Sequence, residues 1–176
     1  MKKVKKTLLT LVCAGALVVG SVAATMAYLT DTTETVTNTF TVGDIELTLE
    51  ETTGPNYKVT PGADIKKDPV VTVEEGSETS WVFLEVDDDL NSGLSWNLAE
   101  DWIPLEGVSG VYYRGPVDAS TGDVTFQVIA GDTVTVSEDI DGSVSELGEL
   151  AFTAYAVQYA GFESDIAAAW AAAQGA

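Results

Sequence analysis

The chain has 176 residues, with 28 Asp and Glu against 8 Lys and Arg and a net charge of −20 at neutral pH. That balance excludes nucleic acid, which needs clustered basic side chains, and it excludes docking on an anionic membrane surface. Histidine is absent and Cys13 is the one cysteine. Once the leader that holds Cys13 is removed, Ser-His-Asp and Cys-His catalysis and histidine-based zinc sites are excluded as well.

Lys2, Lys3, Lys5 and Lys6 precede an uncharged apolar stretch at residues 8–22, and small residues follow up to Ala27. This is the order of a secretory signal peptide, and Thr25-Met26-Ala27 predicts cleavage between Ala27 and Tyr28, with Ala24 as the alternative site. Residues 7–29 also reach the roughly 20 needed to cross a bilayer, so an uncleaved anchor is the competing reading. A lipid on Cys13 fits poorly, because bulky Val12 stands where a lipobox carries a small residue. Removing residues 1–27 takes away four of the eight basic residues and no acidic one, which leaves 149 residues with a net charge of −24. That length suits one domain burying about 70% of its unfolded surface. The lack of disulfides suits a Gram-positive type of exporter.

Residues 28–42 follow, Thr-rich, with Tyr28, Leu29, Val36, Phe40 and Val42 among polar neighbours. Thr and Val favour extended backbone, so this arm is an edge strand, a disordered arm or a strand supplied to another molecule. From residue 43 onward, apolar and polar residues alternate, as in strands with one buried face. Ile45, Leu47 and Leu49 oppose Asp44, Glu46, Thr48 and Glu50, and similar strands are expected at residues 69–73, 80–86, 110–113, 123–129, 133–136 and 150–159. Turn signals such as Pro61-Gly62, Asn91-Ser92-Gly93 and Ala130-Gly131-Asp132 separate them. Many short strands at this spacing indicate an all-β antiparallel sandwich or barrel. The alanine-rich residues 163–173 predict a short terminal helix capped by Ser164 or Asp165, with Ile166 and Trp170 on the face that packs on the strands. It is too short to span a membrane, and no Leu-Pro-x-Thr-Gly motif precedes it.

Nothing in the spacing selects a carboxylate pair for acid-base work, so no enzyme activity is expected. Calcium is the small ligand that clustered carboxylates would take. Its best segments are Asp87-Asp88-Asp89 and the stretch containing Asp139 and Asp141. The second fails as an EF-hand, since its twelfth position is Gly148 and no helices flank it. Solvated carboxylates at strand ends are therefore the reading of both, with no cofactor expected. Trp81, Trp96, Trp102, Tyr112 and Tyr113 could form a carbohydrate platform, but large aromatics in a small β domain are expected in the core.

Several segments, in this order, resemble the TasA/camelysin family of secreted Gram-positive surface and biofilm-matrix proteins. They are the junction Ala24-Thr25-Met26-Ala27-Tyr28-Leu29-Thr30-Asp31-Thr32, then Asn38-Thr39-Phe40-Thr41-Val42-Gly43 with the strand Ile45-Glu46-Leu47, and Val59-Thr60-Pro61-Gly62-Ala63-Asp64-Ile65-Lys66-Lys67-Asp68-Pro69. Val111-Tyr112-Tyr113 and Ala154-Tyr155-Ala156-Val157-Gln158 complete the set. The resemblance implies a jelly-roll sandwich, leader removal by a SipW-type signal peptidase, and head-to-tail self-assembly into extracellular fibres in which the arm 28–42 is donated to a neighbour's sheet. Camelysin members are also described as casein-cleaving metalloproteases. A chain without histidine would have to build such a site from carboxylates alone, which is unusual for zinc. The expectation is thus a signal peptide at 1–27, a donor arm at 28–42, and a jelly-roll domain at 43–176 that acts as a secreted structural subunit free of the membrane after cleavage. A monomeric surface protein that binds calcium or glycan is the alternative.

Overall fold

The Val- and Thr-rich segments fold as short antiparallel strands, the backbone these β-branched residues favour. The computed structural model describes residues 43–54, 57–140 and 147–175. The leader with its Ala27 and Tyr28 junction, the arm 28–42 and Asp141 lie outside the described residues. Ten strands follow in chain order: β1 (Leu47–Glu50), β2 (Asp64–Lys66), β3 (Val70–Val73), β4 (Ser80–Asp88), β5 (Leu94–Ser95), β6 (Ile103–Pro104), β7 (Val111–Val117), β8 (Val124–Gln127), β9 (Thr133–Val136) and β10 (Leu150–Gln158). One short helix, α1 (Ile166–Ala173), ends them.

The strands form three antiparallel sheets with orders β1-β3-β8, β2-β9-β5 and β10-β4-β7-β6. The first two are joined end to end, because β2 runs on into β3 and β8 into β9. Across the bend Lys67 N–H donates to the Asp132 carbonyl at 2.8 Å, and Val128 N–H donates to the Pro69 carbonyl at 3.1 Å. Gly131 and Asp132, at φ 64° and 54°, make the turn that breaks β8 from β9.

Between this bent pair and the third sheet lies the main core. Val71 and Val73 of β3 and Val134 of β9 meet Val82 and Leu84 of β4, with Trp102, Val128 and Ile129 filling in. The even-numbered side chains of β4 point into that core. The odd-numbered Trp81 and Phe83 point to the other face, where Leu105, Ala169, Trp170 and Ala173 cover them. Residues 80–84 are therefore buried on both sides, and their unbroken burial marks a central strand. The sandwich carries a helix as a third layer.

The helix begins at Ile166, later than residue 163, because Asp165 is the residue that caps it: its carboxylate accepts the Ala168 N–H at 2.9 Å. Trp170 packs on Phe83 and Tyr155, each ring 5.2 Å away. Strands β2, β5 and β6 were not expected. Each has only two or three residues, too few to carry a visible alternation.

Candidate functional site

Hydrogen-bond parity distinguishes the paired edges of the sheets from the free ones. In an antiparallel pair, residues alternate between bonding their partner and pointing both backbone groups away from it. Tyr159 N–H donates to the Thr79 carbonyl and Asp89 N–H to the Glu149 carbonyl, in register with the β10–β4 ladder. Odd-numbered residues of β10 thus bond β4, and even-numbered ones face outward. Among the described residues, no backbone group bonds the outward N–H and C=O of Gly148, Leu150, Phe152, Ala154, Ala156 and Gln158. β1 lies alongside β10 without bonding it. Since Glu78 N–H donates to the Asp44 carbonyl, β1 starts near the Gln158 end and leaves the Leu150 end bare.

The composition of this edge is unusual for the chain that holds it. β10 is nine residues of Leu, Ala, Phe, Thr, Ala, Tyr, Ala, Val and Gln, without charge, proline or glycine. Edge strands are ordinarily blunted by short length, charge, proline or bulges. β5 and β6 have two residues each, and β6 ends in Pro104.

Where β10 is bare, the seam between the sheets opens into a groove of about 450 Å³. Leu147, Leu150 and Ala151 form one wall, Ile65 and Lys67 the other, and Leu94 and Val134 the floor. β1 stops at Glu50, so β2 also has a free outer edge. Val136 N–H donates to the Ala63 carbonyl and Lys67 N–H to Asp132, which leaves the backbone groups of Asp64 and Lys66 facing outward. Gly148 at the rim has φ 85°, and an added Cβ would collide with the Asp89 carbonyl, so no other residue fits there.

An ionic network stiffens the groove's upper rim. The Asp68 carboxylate accepts from Thr52 and Thr53 N–H, from the Thr52 hydroxyl and from Lys66 Nζ, while the single Thr53 hydroxyl proton is shared between Asp68 at 3.1 Å and Glu51 at 2.9 Å. Those bonds, Thr52 first, hold its pKa far below the usual carboxylate range. Burial pushes Glu51 up, but hydrogen bonds from Tyr57, Lys67 and Thr53 outweigh it and leave the carboxyl below its ordinary value. Burial and the Glu51 hydrogen bond both raise the Tyr57 phenol. Lys67 Nζ, 2.9 Å from Glu51, also lies over the Tyr57 and Phe152 rings.

The opposite seam is built differently. There Arg114 points inward between the Trp102 and Phe126 rings, 5.0 and 4.6 Å from their centroids. Its guanidinium meets Asp101 at 3.3 Å, and its buried Nε has no hydrogen-bond partner among the described residues. A shallower cleft of about 370 Å³ runs beside it, past Ile103, Pro116, Val124 and Phe126.

No family model, curated protein or solved structure matches this chain. The functional reading therefore rests on its own residues.

Asp87, Asp88 and Asp89 are exposed at the end of β4, and Asp88 is occupied by Trp96 Nε1–H at 2.9 Å and by Leu90 N–H. Asp139 is exposed in the turn after β9, its N–H bonded to the Ser137 hydroxyl. Among the described residues, no three acidic, histidine or cysteine side chains converge on a metal position. The five aromatic residues pack in the cores, as expected: Trp81 and Tyr113 belong to the helix-side core while Trp96, Trp102 and Tyr112 belong to the main one, so they share no surface. Among the described residues, no helix is long and apolar enough to cross a membrane. Arg114 went unmarked in the sequence, although a charge next to the apolar strand residues 111–113 was a signal, and Asp64, Ile65 and Lys66 of β2 were marked only within a segment that carries the resemblance, not as a strand.

Proposed function

We propose that this protein is a secreted structural subunit of extracellular fibres or biofilm matrix, assembled when the arm 28–42 of one copy adds a strand to the sheet of the next. The observation that carries this reading is the outer edge of β10, long, uncharged and unpaired among the described residues. A subunit with 28 acidic residues keeps copies apart by repulsion, yet its longest free edge carries none of the usual protection. Main-chain hydrogen bonds to an added strand satisfy such an edge.

The jelly-roll topology belongs to the same proposal. Supporting it, the chain crosses between the two layers on passing from β3 to β4, β4 to β5, β5 to β6, β7 to β8 and β9 to β10, the Greek-key style of connection. Removal of residues 1–27 by a SipW-type peptidase would free Tyr28 and release the arm, which makes cleavage the switch for assembly. The test is intact mass and electron microscopy of protein recovered from the medium of an exporting cell. The expected result is a chain that starts at Tyr28 and forms filaments that vanish when residues 28–42 are deleted. Correctly cleaved protein that stays as dispersed monomers would sink the proposal.

A further inference from the structure

We propose that the cleft beside Arg114, between β7 and β8, binds a free α-amino acid that carries an apolar side chain. The site is separate from the edge of β10 and stands whether or not copies of the chain assemble.

Arg114 is the one arginine of the chain, and the fold takes it out of water. It stands opposite Val82, whose side chain lies in the main core, and so shares that inward face. Its side chain is 14% exposed. Trp102 Nε1–H donates to the Gln127 carbonyl at 2.8 Å, and the Trp102 ring meets Phe126 edge-on at 5.9 Å, which fixes the two rings that flank the guanidinium. Their faces hold the charge in place but give its N–H groups no oxygen to bond.

A buried cation is ordinarily both paired and hydrogen-bonded. Here Nε is buried without an acceptor among the described residues. The contact with Asp101, at 3.3 Å, is longer than the roughly 2.7–2.9 Å of a charge-assisted bond. The Asp101 side chain is 81% exposed, so it can turn toward an arriving group. A planar carboxylate set against Nε and the neighbouring Nη would satisfy both in the bidentate manner that arginine favours.

The charges around the cleft decide what else the ligand carries. Asp101 and Asp118 both line it and are both exposed, in a chain of net charge −20. A simple anion approaching Arg114 meets that repulsion, and a simple cation meets the arginine. A zwitterion brings no net charge: its carboxylate faces Arg114 and its ammonium faces Asp101, which already lies next to the guanidinium. Asp118 is the less free of the two acids, since it accepts the Ser120 N–H at 2.9 Å. In an α-amino acid the two charged groups sit on one carbon, which matches two side chains in contact, whereas a peptide terminus carries only one of them.

The remaining wall is apolar, made by Ile103, Pro116, Val124 and Phe126. Ile103 is 47% exposed, and a branched or aromatic side chain laid against it would take that surface out of water. At about 370 Å³ the cleft lies near the lower end of the roughly 300–1,000 Å³ of small-molecule sites, which suits one amino acid better than a longer ligand.

A single arginine gives a single side-chain Nε–H resonance in the ¹H–¹⁵N spectrum, so the anchor reports on itself. The experiment titrates ¹⁵N-labelled secreted protein, dispersed at low salt, with L-leucine and L-phenylalanine, then with leucine methyl ester and N-acetyl-leucine. Both free amino acids should shift that resonance to saturation, and loss of either ligand charge should weaken binding at least about tenfold. By calorimetry, Arg114→Lys, which keeps the charge without the fork, should weaken leucine to a similar degree. Asp101→Asn should weaken leucine without weakening N-acetyl-leucine. A resonance that stays in place up to the solubility limit of leucine would overturn the site. N-acetyl-leucine bound as tightly as leucine would overturn the zwitterion in favour of a carboxylate or a peptide C-terminus, and methyl ester bound as tightly would overturn Arg114 as the anchor. Leucine bound equally by a folded Arg114→Lys protein would overturn the bidentate contact. Should either variant fail to fold by circular dichroism, the ligand series on the unaltered protein still decides the proposal.

Discussion

Proline at residue 154 separates the accepting edge from the fold that carries it. The Ala154 N–H faces outward, so Ala154→Pro removes no bond of the β10–β4 ladder, and proline is tolerated on an edge strand in that orientation. Gly148, Leu150, Phe152 and Ala154 present eight outward groups beyond the stretch flanked by β1. The proline ring deletes one donor and holds an incoming backbone off the two acceptors nearest to it. At about 1 kcal/mol net per hydrogen bond, three lost bonds weaken strand addition by about 3 kcal/mol. That is about 150-fold in the association constant. The fold itself should lose only about 1 kcal/mol, within the usual range for a single substitution. Thr153→Pro is the control, since the Thr153 N–H bonds β4 opposite Glu85, and breaking a ladder bond there costs about 3 kcal/mol or more. The assay pairs urea denaturation with light scattering of the secreted protein against concentration. If Ala154→Pro polymerises at the unaltered critical concentration, β10 is not the accepting edge. If it unfolds as readily as Thr153→Pro, the parity argument is wrong.

Trp170→Ala should destabilise the domain by about 3–5 kcal/mol, because Trp170 is buried against Phe83 and Tyr155 and holds α1 on the sheet. Urea unfolding followed by Trp fluorescence measures this, and a loss below about 1 kcal/mol would show that the helix is not part of the core. Salt, magnesium and calcium should promote assembly comparably, as should acidification toward the sequence pI of 4.1, since all reduce repulsion between acidic subunits. The domain should stay folded there. The hydrogen bond that protonated Glu74 donates to Glu46, then desolvation and the Glu46 charge, raise Glu74 above 4.5, so its contribution is fullest below that value and is lost as pH rises through the raised one. Asp68 runs the other way: its contribution is present above 3.8 and is lost only as pH falls through its depressed value. Light scattering and circular dichroism between pH 4 and 7 check both, and assembly that needs calcium and ignores magnesium would refute screening.

Local patterning was enough to read the longer strands. Ile45 to Glu50, residues 80–86 and residues 150–159 alternate or run apolar because one or both faces are buried, and burial is written into residue type. The terminal helix was equally legible, since Asp165 ahead of an alanine-rich run is a local signal. The direction of Arg114 was not legible, because an inward guanidinium needs Trp102 and Phe126 from two other segments to receive it. Nor were β2, β5 and β6, which exist as strands only where a longer neighbour offers bonds. The groove depends on facts that no single segment contains. β1 stops at Glu50 beside β3, β10 is outermost beside β4, and odd residues rather than even ones bond inward. Sheet order and bonding parity are set by which distant strands pair, so side-chain alternation could show that β10 is a strand, and only the tertiary structure decided that it is an open edge.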